Sequence, residues 1–185
     1  MTCARSLGIG ALTEALVANQ VQLARKKLDD KSYAAAAAQA ERALKLDPES
    51  AEAKKVLAEA QTRIKDLEGA AADVRAGMDA QDEGRASEAL WKLLLADPNF
   101  AGADDLASGL DKAFKSRAEE ARRLMEQSRS AAERANATPV EAFGEAVGQA
   151  KEGQTLFANA AFGRSARRFL IARDGFERAR GVARR

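Results

Sequence analysis

Along two stretches of this chain, apolar residues recur at alternating steps of four and three, and that rhythm leaves helix as the only regular structure they can adopt. After Pro48 the set is Ala53, Val56/Leu57, Ala60, Ile64, Leu67, Ala71, Val74 and Met78. After Pro98 it is Ala103, Ala107, Leu110, Phe114, Ala118, Ala121, Met125, Ser128 and Ala132. No stretch shows the strict alternation of a half-buried strand. Alanine holds 44 of the 185 positions, so about half of the 46% apolar content is a single methyl group, and aromatic residues make up only 5%. Side chains this small suit helices that approach closely and do not fill a β-sandwich or a thick core. The length admits one domain or a short repeat array.

The three prolines follow residues suited to a helix N-cap, as Asp47-Pro48, Asp97-Pro98 and Thr138-Pro139. Thr138-Pro-Val-Glu141 reads as a capping box. The spacing therefore predicts two long helices, residues 48–82 and 98–137, with Gly69 and Gly77 weakening the first without breaking its stripe. Shorter helices are expected over 12–28 (Leu16, Leu23 and Ala24 inward) and 32–46 (capped by Ser32, with Tyr33, Ala36, Ala40, Ala43 and Leu44 inward). Three more are expected over 86–96 (Ala89, Leu90, Trp91, Leu93), 139–162 (Phe143, Val147, Ala150, Phe157) and 165–183 (Phe169, Leu170, Phe176). Each long helix would be covered by one short neighbour before it and one after it, so 139–162 would cover the second half of 98–136.

Chemistry is restricted by what is missing. The chain has no His and one Cys, Cys3. This excludes His-based acid–base catalysis, catalytic triads, His/Cys metal sites and an intramolecular disulfide. No cofactor or metal is expected. Asp79-x-Gln81-x-Glu83-Gly84 begins like a calcium loop but places Leu90 where a bidentate carboxylate is required. Gly8-Ile9-Gly10 lacks the strand and third glycine of a phosphate cradle. Asn136-Ala137-Thr138 fits a glycosylation sequon whose Thr138 is already assigned to a cap. The pairs Asp29-Asp30, Asp104-Asp105 and Glu119-Glu120 diverge by about 100° on a helix and read as solvated faces. An enzyme is not expected, because Ala-lined helices leave shallow surfaces.

Thirty basic against 28 acidic side chains give a net charge of +2, too balanced to draw the whole chain to nucleic acid or membrane. The sign is uneven: residues 164–185 carry +6, leaving −4 for the rest. The plain reading is a final helix whose Arg side chains face water and favour its negative C-terminal end; the sharper one is a handle for acidic partners. No run reaches the roughly 20 apolar residues of a membrane span, and a cytoplasmic setting is the default expectation, which a piece of a longer protein would share.

Leu23-Ala24, Tyr33, Ala36, Ala43-Leu44 and Leu46-Asp47-Pro48, with Leu57-Ala58 one period on, resemble the tetratricopeptide repeat (TPR), a helix pair of about 34 residues with small residues at its crossing. A poorer copy is Gly77…Gly84-Arg85-Ala86-Ser87-Glu88-Ala89-Leu90…Asp97-Pro98, and a degenerate one is Phe157…Ala166…Leu170. The repeat period departs from the family's, since Pro48 and Pro98 are 50 residues apart and Pro98 and Pro139 are 41 apart.

The stripes and the resemblance together imply an all-α, elongated array of antiparallel helical hairpins, a TPR-like α-solenoid with two long shared helices that are unusual for the family. Its parts would be a flexible segment 1–10, the array 11–137 and a C-terminal hairpin 138–185 packed on the long helix 98–136. The resemblance also implies a non-catalytic scaffold that binds a peptide or protein surface, and similar Ala-rich segments occur on bacterial signalling kinases and envelope proteins. Carried over by position, the partner-facing residues would be Gln22, Arg25, Lys55, Glu59 and Arg75; the carboxylate clamp of some relatives is not matched. The alternatives are homo-oligomerisation through the long helices or a Phe-rich end (Phe162 and Phe169 exposed), and binding of acidic partners by the Arg-rich last helix; nucleic acid is disfavoured.

Overall fold

The computed structural model describes residues 3–184, with side chains from Leu12 onward. Among these residues the chain is all-helical, without strands. The elements are α1 (Cys3–Asp29), α2 (Tyr33–Leu46), α3 (Ala51–Asp79), α4 (Glu83–Ala96), α5 (Ala103–Gly109), a 3₁₀ turn (Asp111–Phe114), α6 (Lys115–Arg134), α7 (Glu141–Ala158) and α8 (Phe162–Ala183). Helix α1 is traced from Cys3; the side chains of the expected flexible segment 1–10 lie outside the described residues. Helix α3 runs unbroken through Gly69 and Gly77. Packing divides the chain within α3 into two compact units, Met1–Asp66 and Leu67–Arg185.

The prolines do not start helices. Asp47 and Asp97 end α2 and α4, and each carboxylate then accepts a backbone N–H two residues on, from Glu49 at 3.0 Å and Asn99 at 2.8 Å. Pro48 and Pro98 thus hold the second position of an Asp-led turn, which their fixed φ suits. Helix α3 begins at Ala51, with the Ser50 hydroxyl accepting from the Ala53 N–H at 3.4 Å. The expected capping box is also absent. Val140 is the N-cap of α7 and makes no side-chain cap, while its N–H is bonded to Ala137 O at 3.0 Å. Ser32 sits at the N-cap of α2 but makes no side-chain cap bond; its counterpart Asp82 accepts from the Arg85 N–H at 3.0 Å.

Four helix ends share one device. Lys31, Gln81, Asn136 and Ala160 have φ of 59°, 55°, 55° and 57°. In each case the next residue's N–H reaches back five residues: Ser32 to Lys27 O, Asp82 to Gly77 O, Ala137 to Ala132 O and Ala161 to Leu156 O, at 2.8 to 3.0 Å. These are Schellman turns closed without glycine, each holding an L-residue in the left-handed region. Lys31 and Gln81 are 50 residues apart, and the burial pattern follows that spacing: Val17, Val21, Ala24, Ala36, Ala40, Ala43, Ala53 and Val56 are buried, as are Leu67, Ala71, Val74, Ala86, Leu90, Leu93, Ala103 and Leu106.

In the first unit α1 packs on α2, and the start of α3 completes a thin core. Val17 and Val21 meet Ala43 and Ala53; Ala24 meets Ala40 and Val56, with Leu28, Leu44 and Leu57 at its edge. Ala24 is buried as expected, but Val17 and Val21 take the inward places expected of Leu16 and Leu23, which are exposed. A crossing lined by alanine accommodates the short Val side chains where two leucines would hold the helices apart.

In the second unit α8 is the central helix. Gly163, Ser165, Ala166, Phe169, Leu170, Ala172, Gly175, Phe176 and Ala179 are all buried, and α6 and α7 pack chiefly on α8. This corrects the expectation that 139–162 would cover the long helix, because α6 and α7 meet only marginally. Close approach explains the preference. A Cβ on Gly163 would lie 2.1 Å from Ala107 O, one on Gly153 would lie 2.8 Å from the Phe169 ring, and one on Gly175 would lie 2.8 Å from Ala146 Cβ. Phe143 and Phe176 meet edge to face at 5.0 Å between ring centroids. The Ser165 hydroxyl donates to Gly153 O at 2.8 Å.

The arginines of α8 also depart from expectation. Four of them reach into the unit rather than into water: Arg164 to Asp111 (2.7 Å), Arg167 to Asp104 (3.0 Å), Arg168 to Glu152 (3.0 Å), and Arg173 to Leu95 O (3.3 Å) and Asp174 (2.6 Å). The hydrogen bonds that Arg164 donates to the Asp111 carboxylate hold its guanidinium above its ordinary pKa. Being raised, its contribution is complete below the ordinary value and is lost only as pH climbs through the raised one, so the Arg164 guanidinium keeps its charge near neutrality. The Phe-rich end is not exposed: Phe169 is fully buried, and Phe162 is half-buried against Phe157, with ring centroids 5.1 Å apart.

The second expected rod is broken. Helix α5 ends at Gly109, the 3₁₀ turn follows, and α6 restarts at Lys115. Gly109 weakens the helix there, and the break turns Asp111 onto the start of α8, where its carboxylate also accepts the Arg164 N–H at 3.1 Å. The stripe keeps its phase across the break, since Ala103, Ala107, Leu110, Phe114, Ala118, Ala121, Met125 and Ala132 are all buried.

Two outcomes test this packing. Gly163→Ala should destabilise by about 2–3 kcal/mol, because the obstructing atom is backbone, while Gly148→Ala, with nothing within 4 Å of its Cβ position, should stabilise by about 0.5–1 kcal/mol; urea midpoints of the two variants compare them. Ala160→Gly should stabilise by about 0.5–1 kcal/mol through relief of the left-handed residue, read as a rise in Tm.

Candidate functional site

In the first unit a shallow groove of about 880 Å³ lies between α1 and the turn joining α2 to α3. Its floor is apolar, from Val17, Ala18, Val21 and Leu46. Val17 and Val21 are nearly buried, whereas Leu46 is 44% exposed, an unusual position for a large aliphatic side chain. Glu14, Asp47 and Glu52 stand on the rim, with Thr13, Gln22, Arg25 and Ser50. The size falls in the range of ligand and peptide sites, but the surface is open rather than enclosed.

Helix α1 supplies most of the wall at steps of three and four: Glu14, Val17, Ala18, Val21, Gln22 and Arg25. The opposite wall is fixed by the Asp47 turn and the Ser50 cap, which set where α3 begins. Arg25 bridges the two walls by an ion pair with Glu52. On its other side Arg25 borders a smaller groove of about 250 Å³ with Leu28, Asp29, Lys55, Val56 and Glu59.

Four of the five expected partner-facing residues therefore come together. Gln22 and Arg25 line the larger groove, and Arg25, Lys55 and Glu59 line the smaller. Arg75 is exposed on the part of α3 that belongs to the second unit. Sequence reasoning missed the floor, Val17, Val21 and Leu46. A signal was present, because a shift of 50 residues maps Val17, Val21 and Ala24 onto Leu67, Ala71 and Val74, and the latter three were read as inward.

The second unit has a polar groove of about 230 Å³ bordered by Ala70, Asp73, Arg85, Glu88, Ala89 and Lys92. Its charges are already paired at 3.5 Å, Arg85 with Asp73 and Lys92 with Glu88. Nearby, Arg117 bonds Glu88 at 2.8 Å and lies 5.3 Å from the Trp91 ring centroid, a tie between α4 and α6. Among the described residues no three His, Cys, Asp or Glu side chains gather as a metal site, and no helix is long and apolar enough to cross a membrane.

Both members of the Arg25–Glu52 pair are more than half exposed, so Arg25→Ala should cost no more than about 0.5 kcal/mol in urea unfolding. A larger loss would make Arg25 a structural residue rather than one available to a ligand.

Comparison of the chain with protein-family models, with curated proteins and with solved structures finds no match.

Proposed function

We propose that this chain is a non-catalytic protein-interaction module that takes a peptide or protein surface into the groove between α1 and the α2–α3 turn. The observation that carries the reading is the open groove in which the exposed Leu46 and Ala18 lie over the nearly buried Val17 and Val21, framed by Gln22 and Arg25. Ligand contact would cover surface that the fold leaves wet, and helices already held by tertiary packing lose little entropy on binding.

The TPR-like reading belongs to the same proposal. Three helix pairs, α1–α2, α3–α4 and α7–α8, are each joined through a Schellman turn, and the fourth residue after each N-cap is small and buried: Ala36, Ala86 and Ser165. These features support an array of antiparallel hairpins resembling a TPR solenoid, with the bacterial setting in which similar segments occur; a cytoplasmic location is the default that goes with it. Self-association is the second reading, favoured by the exposed Leu12, Leu16 and Leu23 along α1.

A photo-crosslinking amino acid at Ala18, compared with one at the exposed Gly148 of α7, tests the site. Protein adducts are expected from position 18 and not from 148, with at least about a fivefold loss when Leu46→Glu places a charge on the floor. Equal labelling from both positions, or labelling indifferent to Leu46→Glu, would remove the groove as the binding face.

A further inference from the structure

The rim of the groove is acidic in a way its surroundings are not. Residues 12–66 carry ten Lys and Arg against nine Asp and Glu, close to balance. Three of those carboxylates, Glu14, Asp47 and Glu52, nevertheless line the groove with, among the described residues, a single cation, Arg25, which is engaged by Glu52. Glu14 and the second oxygen of Asp47 thus add a local negative field to an apolar floor. The matching occupant is an apolar segment bearing cations.

This chain carries such a segment at the end of α8. Arg164, Arg167, Arg168 and Arg173 spend their charge inside the second unit. The surplus is therefore displaced to the last turns, where Arg178 and Arg184 are exposed and Arg180 is half-buried. The acid just before them, Glu177, accepts from the Ser128 hydroxyl at 3.2 Å. Val182 is 58% exposed and lies one turn from Arg178 on the same face. The end of a helix is about 10 Å across, a width a shallow groove accepts. Its partial negative dipole is outweighed by the full charges of the arginines.

We propose that the groove holds the last turns of α8 from a second copy of this chain, Val182 against Val17, Val21 and Leu46, and Arg178 and Arg184 against Glu14 and Asp47. This rests on the groove being the binding face and names its partner. The two surfaces differ, so the contact is head-to-tail, and a pair of copies retains one unoccupied groove and one unoccupied α8 end between them. The contact is small, which places the association in the weak, transient class.

Sedimentation of the full chain over a concentration series tests it. At low salt the mean mass should rise with concentration, and the association constant should fall about tenfold on going from about 0.05 M to about 0.5 M salt. Glu14→Lys with Asp47→Asn, which keeps the turn's acceptor oxygen, and separately Arg178→Glu with Arg184→Glu, should each give a monomer with unchanged circular dichroism. Mixing the two variants should restore a one-to-one complex, because one keeps an intact helix end and the other an intact groove. A monomer at every concentration, or variants that do not complement, would overturn the inference. If a monomeric wild type still yields Leu46-dependent adducts at position 18 with a different protein, only the identity of the partner falls; if no such adduct forms, the groove reading falls with it.

Discussion

The approach of α8 to its neighbours is closer than a Cβ permits. At Gly163 the backbone lies against Ala107 O, and at Gly153 and Gly175 it lies against Phe169 and Ala146. Only because those positions lack a side chain can one helix bury residues around most of its circumference while α5, α6 and α7 all reach it. Dispersion and apolar burial fall off steeply with separation, so the phenylalanines that dominate this unit, Phe143, Phe169 and Phe176, depend on glycines that contribute no contact of their own. The break after Gly109 belongs to the same arrangement, since it lets Asp111 close on the start of α8.

Charge is used differently in the two units. On α8, guanidinium groups tie the central helix to α4, α5, α7 and the 3₁₀ turn, with Arg167 and Arg173 mostly buried around their stems. In the first unit the ion pairs are exposed and contribute little to stability. Arg25 and Glu52 hold their positions at a groove whose floor is apolar. One basic helix thus serves as structural glue along most of its length and as a charged surface only at its end.

Helix identity was legible because the three-four rhythm is a direct image of burial: Ala53 through Val74 and Ala103 through Ala132 point inward as the stripes require. What failed were features decided by tertiary contact. The break at Gly109 leaves no mark in the stripe, which keeps its phase through Leu110 and Phe114, and only the contact of Asp111 with Arg164 shows it. Asp47-Pro48 and Asp97-Pro98 satisfy a helix start and an Asp turn equally well, and only the carboxylate's choice of N–H separates them. The phase of α1 was missed because Leu16 and Leu23 outweigh Val17 and Val21 in hydrophobicity, while the Ala43–Ala53 crossing selects for size. Four of the five positions expected to face a partner, Gln22, Arg25, Lys55 and Glu59, line the grooves; Val17 and Val21 beside them could not be seen without the corrected inward face of α1.

The centrality of α8 bears on how the polypeptide comes into being. Of the elements described it is the last to leave the ribosome, yet α5, α6 and α7 have their main apolar surfaces shaped to it. A nascent chain extending through α7 would hold Phe114, Phe143 and Met125 without the helix that covers them. Residues 12–60, by contrast, contain their own small core of Val17, Val21, Ala43, Ala53 and Val56 and can settle while synthesis continues. Until α8 emerges, those apolar faces have nothing in the described chain to cover them.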